Sequence, residues 1–269
     1  MSLICFASGK GAPGVTLTAL SFAAARASAG RKVALLEADP SGGTLAVRYQ
    51  LPRQPGLVTL TAASRHGLSR DELWNHAQEL PGGLAAIVAP EREDRASATL
   101  RSDGQRLGRW LADIPDVDVI ADCGRIDSDA LASGLAAEAD VLFLLARPTA
   151  EEIQPTAALA ANALDRGLSV RWVLIGDRPH SPAEIASVTG MDIAAVLPDD
   201  RRGAQAILEG RADGRGKRSR LARAIAALAI ESMPGSSTAV DVEQVAPNDL
   251  SNRGAEPMPL ASLTADVAR

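Results

Sequence analysis

Eight residues near the start of the chain, Gly9-Lys10-Gly11-Ala12-Pro13-Gly14-Val15-Thr16, have the types and spacing of an anion cradle. Glycines let backbone N–H groups close on a phosphate, and the first turn of a helix adds the positive end of its dipole. Two templates fit. In the nucleotide loop G-x-x-x-x-G-K-[ST], Gly9, Gly14 and Thr16 match, and Val15 stands where the lysine belongs. In the dinucleotide pattern G-x-G-x-x-G, Gly9, Gly11 and Gly14 all match, and Glu37, 28 residues past Gly9, is the acid for a ribose hydroxyl. Three features favour the first template. Thr16 can offer a hydroxyl to Mg²⁺, Lys10 puts a cation inside the loop, and Asp122 ends an apolar run as an acid that holds Mg²⁺ through water. A strand-to-helix turn without a ligand is the bland alternative.

Such residues need a strand before the loop, a helix after it and neighbouring strands to carry the acids. Continuous apolar runs supply strands at Leu3–Ala7, Val33–Glu37, Ala85–Ala89, Val117–Cys123, Val141–Arg147, Val170–Ile175 and Ile193–Leu197. Runs without alternation suit parallel strands buried on both faces. Helical patterns fall between them at about Thr16–Ala29, Arg70–Glu79, Ala96–Ala112, Ser128–Glu138, Ala150–Asp165, Pro182–Thr189, Arg202–Glu209 and Arg218–Ser232. Alternation of this kind predicts a three-layer α/β/α domain of the P-loop NTPase type, with a mostly parallel sheet of about seven strands. The domain is expected over residues 1–232, followed by a polar, disordered tail over 233–269.

Composition narrows the function classes. The net charge is −5, which argues against a general nucleic-acid coat, but from residue 234 onward five acids face only two arginines, so −3 of that charge lies outside the expected domain and local DNA contact stays open. Two cysteines cannot build a disulfide framework, and the first apolar run is too short for a signal peptide, so a cytoplasmic protein is expected. His66, His76 and His180 share no ligand spacing. Only Lys10, Lys32 and Lys217 are lysines, so the one in the loop is informative.

At these residues the chain resembles the ParA/MinD family of deviant Walker ATPases, whose loop reads K-G-G-x-G-K-[ST]. The likeness runs through Lys10 to Thr16, then Glu37-Ala38-Asp39-Pro40, which is similar to the family's D-x-D-P, and Asp122-Cys123-Gly124, which is similar to its Walker B end. It reaches Leu197-Pro198-Asp199 with Ala206 and Gly210. The loop also resembles that of pilus-assembly localisation proteins, whose Walker A motifs are often atypical.

The resemblance implies a nucleotide-dependent homodimer enclosing ATP or ADP with Mg²⁺ at Gly9 to Leu17. It implies that Lys10 reaches across to the partner's phosphates, that Asp39 positions the attacking water, and that Thr16, Glu37 and Asp122 organise Mg²⁺. Its functional implication is a switch that spatially organises DNA, division or secretion machinery. Val15 removes a charge-assisted contact worth about 1.5–3 kcal/mol, or roughly one to two decades of affinity, so turnover is expected to be weak or absent. Gly176 replaces an adenine-contacting Asn of the family, leaving Asp177 as a poor substitute. A nicotinamide-dependent oxidoreductase and a nucleotide-free scaffold are the alternatives.

Two further surfaces carry expectations. Arg201, Arg202, Arg211, Arg215, Lys217, Arg218, Arg220 and Arg223 cluster late in the fold. With acids interleaved they read as a solvated face, or else as a non-specific DNA footprint. The tail lacks a basic amphipathic helix, so membrane targeting by that route is not expected. Cys123 reads as a small packing residue, Trp74, Trp110 and Trp172 as core or half-buried packing, and Ser41 or Thr44 as the cap of a following helix.

Overall fold

The computed structural model describes residues 2–11, 14–65, 67, 69–209 and 219–232. Ala12 and Pro13 of the loop, His66, Gly210, the basic residues Arg211, Arg215, Lys217 and Arg218, and the segment from Met233 onward lie outside the described residues.

Eight strands among the described residues make one sheet: β1 (Ser2–Ser8), β2 (Val33–Glu37), β3 (Gln78–Glu79), β4 (Ala85–Ile87), β5 (Asp118–Arg125), β6 (Val141–Ala146), β7 (Val170–Ile175) and β8 (Ile193–Leu197). Their order is β3-β4-β2-β5-β1-β6-β7-β8, and every pair is parallel except β3 with β4. The helices are α1 (Val15–Ser28), α2 (Leu45–Arg48), α3 (Leu57–Ser64), α4 (Arg70–Asn75), α5 (Glu93–Asp113), α6 (Ser128–Ser133), α7 (Ala150–Asp165), α8 (Pro182–Thr189), α9 (Arg201–Leu208) and α10 (Arg220–Glu231).

Strand periodicity makes the three layers. Leu3, Cys5 and Ala7 of β1 join one core with Leu107 and Leu111 of α5 and Leu159 of α7. Ile4 and Phe6 join the opposite core with Phe22 of α1 and Ile225 and Leu228 of α10. Phe6 lies 5.0 Å from Phe22 and 5.1 Å from Phe143 between ring centroids, which packs α1 over the centre of the sheet. Parallel pairing then brings the ends of β1, β2 and β5 to one edge. The strand order reverses beside β1, the position at which open α/β sheets bind ligands.

The structure differs from the expected elements in three places. The pattern read as one helix over Arg70–Glu79 ends at Asn75, and Gln78–Glu79 becomes an eighth, edge strand. Pro81-Gly82-Gly83 turns the chain there, with the Leu80 N–H donating to the Leu84 carbonyl at 2.9 Å. A short helix, α2, follows Thr44 where a helix was expected, and a second, α3, occupies a stretch in which none was expected. The pattern over Ser128–Glu138 breaks at Gly134, where a Cβ would collide with the Ala130 carbonyl, and resumes as a 3₁₀ turn at Leu135–Glu138.

Candidate functional site

The loop leaves β1 at Ser8 and enters α1 at Val15, so it stands at the C-terminal edge of the central strand. Ser8 is buried and its hydroxyl donates to the Gly11 carbonyl at 3.0 Å. Gly9 is held against α7, where a Cβ would lie 2.8 Å from the Thr156 Cα. Only glycine fits that approach. Gly14 precedes α1 in left-handed backbone with φ 88°.

β5 carries the acid that meets this helix. Asp118, Ile120 and Asp122 alternate onto the α1 face, and the register sets Asp122 opposite Phe6 of β1 and Glu37 of β2. Asp122 is 1% exposed. It is hydrogen-bonded to the Thr16 side chain and accepts the Gly124 N–H at 3.1 Å. Burial, reinforced by the charges of Glu37 and Asp39, pushes its carboxyl up to about 7 despite those hydrogen bonds. A hydroxyl and a carboxylate are hard oxygen donors, the ligand chemistry that Mg²⁺ takes beside phosphates. Among the described residues, no three Asp, Glu, His or Cys side chains are grouped as a metal site by themselves.

Glu37 and Asp39 are positioned differently from each other. Glu37 is buried, and its carboxylate is spanned by backbone: Oε1 accepts the N–H of Thr44 at 2.5 Å and of Leu45 at 3.0 Å, and Oε2 that of Ala89 at 2.9 Å. It thereby caps α2 from outside. Thr44 is the N-cap residue yet makes no side-chain cap bond, so neither Thr44 nor Ser41 supplies the cap expected of them. Gly43 makes room, since a Cβ there would strike the Glu37 carboxylate. Asp39 is half-buried, and its Oδ1 accepts the Ser41 N–H at 2.7 Å. Burial raises its carboxyl, while the Ser41 hydrogen bonds and the Arg125 charge pull the other way. Gly124, with φ 56°, lies under Asp39, and a Cβ there would collide with that carboxylate.

Val15 is 2% exposed and packs in the core with Leu17 and Phe22, so its side chain belongs to the interior and only its backbone serves the loop. Leu17, expected near the nucleotide, is likewise in that core. Lys10 is exposed. Its charge acts on Glu151 at the start of α7, whose carboxyl is held low first by the hydrogen bonds of the helix start. Further along the edge, the Gly176 N–H donates to the Leu197 carbonyl at 2.8 Å, tying β7 to β8, and Asp177 and Asp199 are exposed.

Four arginines of the basic cluster are described. Arg201 and Arg202 open α9, Arg220 and Arg223 lie in the first turns of α10, and all four are exposed. The two helix starts touch, since a Cβ on Gly203 would lie 2.8 Å from that of Ser219. Cys123 is buried, and its thiol is pushed well up, first by a hydrogen bond with Cys5 and then by burial. Trp172 is fully buried, whereas Trp74 and Trp110 are half-buried.

Glycine loop, helix start, Thr16–Asp122 pair and switch-point topology together define a P-loop type of α/β protein. More particularly, the fold is that of MinD and ParA-type ATPases. The chain superposes on the septum site-determining protein MinD of Pyrococcus horikoshii, solved with Mg-ADP, with a TM-score of 0.70 at 18% identity, covering 86% of this chain and 95% of that one. A ParA family ATPase from Chlorobium tepidum gives 0.70 at 19% identity, covering 85% and 98%. An ATP complex of McdA from Cyanothece gives 0.63 at 18%, covering 85% and 95%. No family model and no curated protein matches the chain in sequence.

Proposed function

We propose that the protein is a nucleotide-dependent positioning switch of the ParA/MinD type, which binds ATP and Mg²⁺ at the β1–α1 loop and hydrolyses slowly or not at all. One observation carries this reading: the Thr16 hydroxyl at the start of α1 is paired with the buried Asp122 carboxylate directly beside the glycine loop. The complexes of MinD with Mg-ADP and of McdA with ATP support it by analogy of fold.

Bound Mg²⁺ would supply charge neutralisation between phosphate oxygens. The chain's own residues do the rest. Backbone N–H groups of Gly9, Lys10, Gly11, Gly14, Val15 and Thr16 hold the phosphates, Thr16 and Asp122 orient the metal, and Asp39 directs a water. Glu37, bracketed by three amides, serves this site by fixing α2 and β4. The same bracketing counts against the dinucleotide reading, in which that acid must be free for a ribose. Face-to-face dimerisation through Lys10 and DNA contact through the arginines of α9 and α10 belong to the proposal, as does a cytoplasmic location. No helix among the described residues is long and apolar enough to cross a membrane.

The test is thermal shift and calorimetric titration of the full chain with ATP, ADP and NAD, each with and without Mg²⁺. Mg²⁺-dependent stabilisation by ATP, lost in Thr16→Ala, is expected. No response to either adenine nucleotide at millimolar concentration would refute the proposal and leave the scaffold reading. A response to NAD alone would restore the oxidoreductase.

A further inference from the structure

Val15 leaves the helix end of the loop without a cation, and its side chain is committed to the core. The same edge of the sheet carries another. Arg125 ends β5 and is paired in register with Ser8, the residue before Gly9. The next residue, Ile126, donates its N–H to the Ser8 carbonyl at 3.0 Å, which fastens this turn to the base of the loop. Gly124, in left-handed backbone over Asp39, sets the direction in which the strand leaves.

The side chain of Arg125 is exposed, and it borders a cavity of about 530 Å³ shared with Gly9, Ala38, Ser41 and Cys123. Its charge is felt by Asp39. Among the described residues its guanidinium donates no hydrogen bond and forms no ion pair, unlike Arg26, Arg31 and Arg65, which are engaged by buried aspartates. The loop mouth therefore holds an uncommitted, planar, permanently charged fork on the side of Asp39. A guanidinium matches phosphate oxygens two at a time.

We infer that Arg125 supplies, within one subunit, the cation that Val15 does not, by contacting the terminal phosphate of a bound nucleoside triphosphate. The inference rests on the nucleotide reading above and adds a selectivity to it. A contact at the Gly9 and Asp39 end of the loop touches the last phosphate and leaves the inner ones to the helix start, so Arg125 favours triphosphate over diphosphate.

The experiment is calorimetric titration of full-length wild type, Arg125→Gln and Arg125→Lys with a non-hydrolysable ATP analogue and with ADP, both in Mg²⁺. Arg125→Gln is expected to weaken the triphosphate about tenfold and the diphosphate less than about twofold, the size of one charge-assisted contact at a partly wet site. Arg125→Lys is expected to recover part of the difference. Unchanged affinities, or equal losses for both nucleotides, would overturn the inference while leaving nucleotide binding standing. Wild type that binds neither nucleotide would overturn both. Because Arg125 is exposed, the nucleotide-free variants should melt with the wild type; a lowered melt in Gln alone, with Lys binding as wild type, still supports the charge.

Discussion

Replacing Asp118 tests how α1 is held to the sheet, and hence how Thr16 reaches Asp122. Asp118 is completely buried at the start of β5. It accepts Arg26 Nη1 at 2.8 Å, Arg31 Nε at 3.0 Å and Arg31 Nη2 at 2.9 Å. Arg26 projects from α1, is itself fully buried, and also donates to the Ser232 carbonyl at 2.7 Å beyond α10. Asp118→Asn removes the charge and strands Arg26, which should cost roughly 3–5 kcal/mol. Protonation gives an independent figure. Burial alone would raise the Asp118 carboxyl, but Arg31 and Arg26 outweigh it and hold the group at about 2 against an ordinary 3.8. That depression corresponds to about 2 kcal/mol, present above the unfolded value and lost as pH falls through the folded one. The first figure is larger because the asparagine amide sets an NH2, a pure donor, where one Asp118 oxygen accepted an arginine N–H, whereas a protonated carboxyl still has a lone pair on each oxygen. Urea unfolding at pH 7 should show Asp118→Asn less stable by the stated amount, with the gap to wild type narrowing as pH falls from about 4 towards about 2. Asp118→Leu with Arg26→Met should recover most of the loss, since an apolar pair of similar volume replaces the ions. A loss below about 1 kcal/mol at pH 7, or a gap that does not narrow, refutes the reasoning.

Two other perturbations separate structural from chemical roles. Gly124→Ala must force a side chain into left-handed backbone and against the Asp39 carboxylate, and should cost about 1–3 kcal/mol in thermal or urea unfolding. Combining it with Asp39→Ala should recover part of that cost, and strict additivity would show that the collision is not the cause. Glu37→Ala leaves the N–H groups of Thr44, Leu45 and Ala89 without their acceptor and should destabilise by roughly 1–3 kcal/mol. Unchanged unfolding with lost Mg²⁺ dependence of nucleotide binding would instead make Glu37 a metal residue.

The central parallel strands were legible because burial on both faces makes them read as apolar runs, and even β7, with exposed Arg171, and the half-buried β8 keep enough apolar residues to be found; Val141–Ala146 and Val170–Ile175 begin where the pattern placed them. α3 was hidden by its β-branched Val58, Thr59 and Thr61, which suit a strand, although Leu57, Leu60, Thr61 and Ser64 follow helical spacing and are all buried. β3 was lost because two residues carry no periodicity; the Pro-Gly-Gly turn after it was the available signal. In the site, spacing marked Thr16 and Asp122, since a glycine loop and an acid closing an apolar run are local features, although β5 continues past Asp122 to Arg125. The use of Glu37 was not legible. Three backbone amides from two distant segments select it, and no pattern in the chain announces them. Arg125 was passed over for a similar reason: its meaning comes from the register of β5 on β1.

On the proposed reading, the missing lysine acts unequally on binding and chemistry. Backbone N–H groups hold phosphate oxygens in the ground state and the transition state alike, so the cradle from Gly9 to Thr16 supplies affinity without by itself lowering the barrier. A cation at the bond being broken acts where charge develops. Val15, buried in the core, cannot take that place, whereas Lys10 and Arg125 lie at the exposed mouth, where water and salt weaken their fields. Inside, Asp122 and Glu37 are buried neighbours, and the carboxyl of Asp122 is raised first by burial and then by the neighbouring negative charge. Such a site gains most from an arriving divalent cation and least from the chemistry that follows. A nucleotide bound with Mg²⁺ would therefore persist, which favours a long-lived occupied state over rapid turnover.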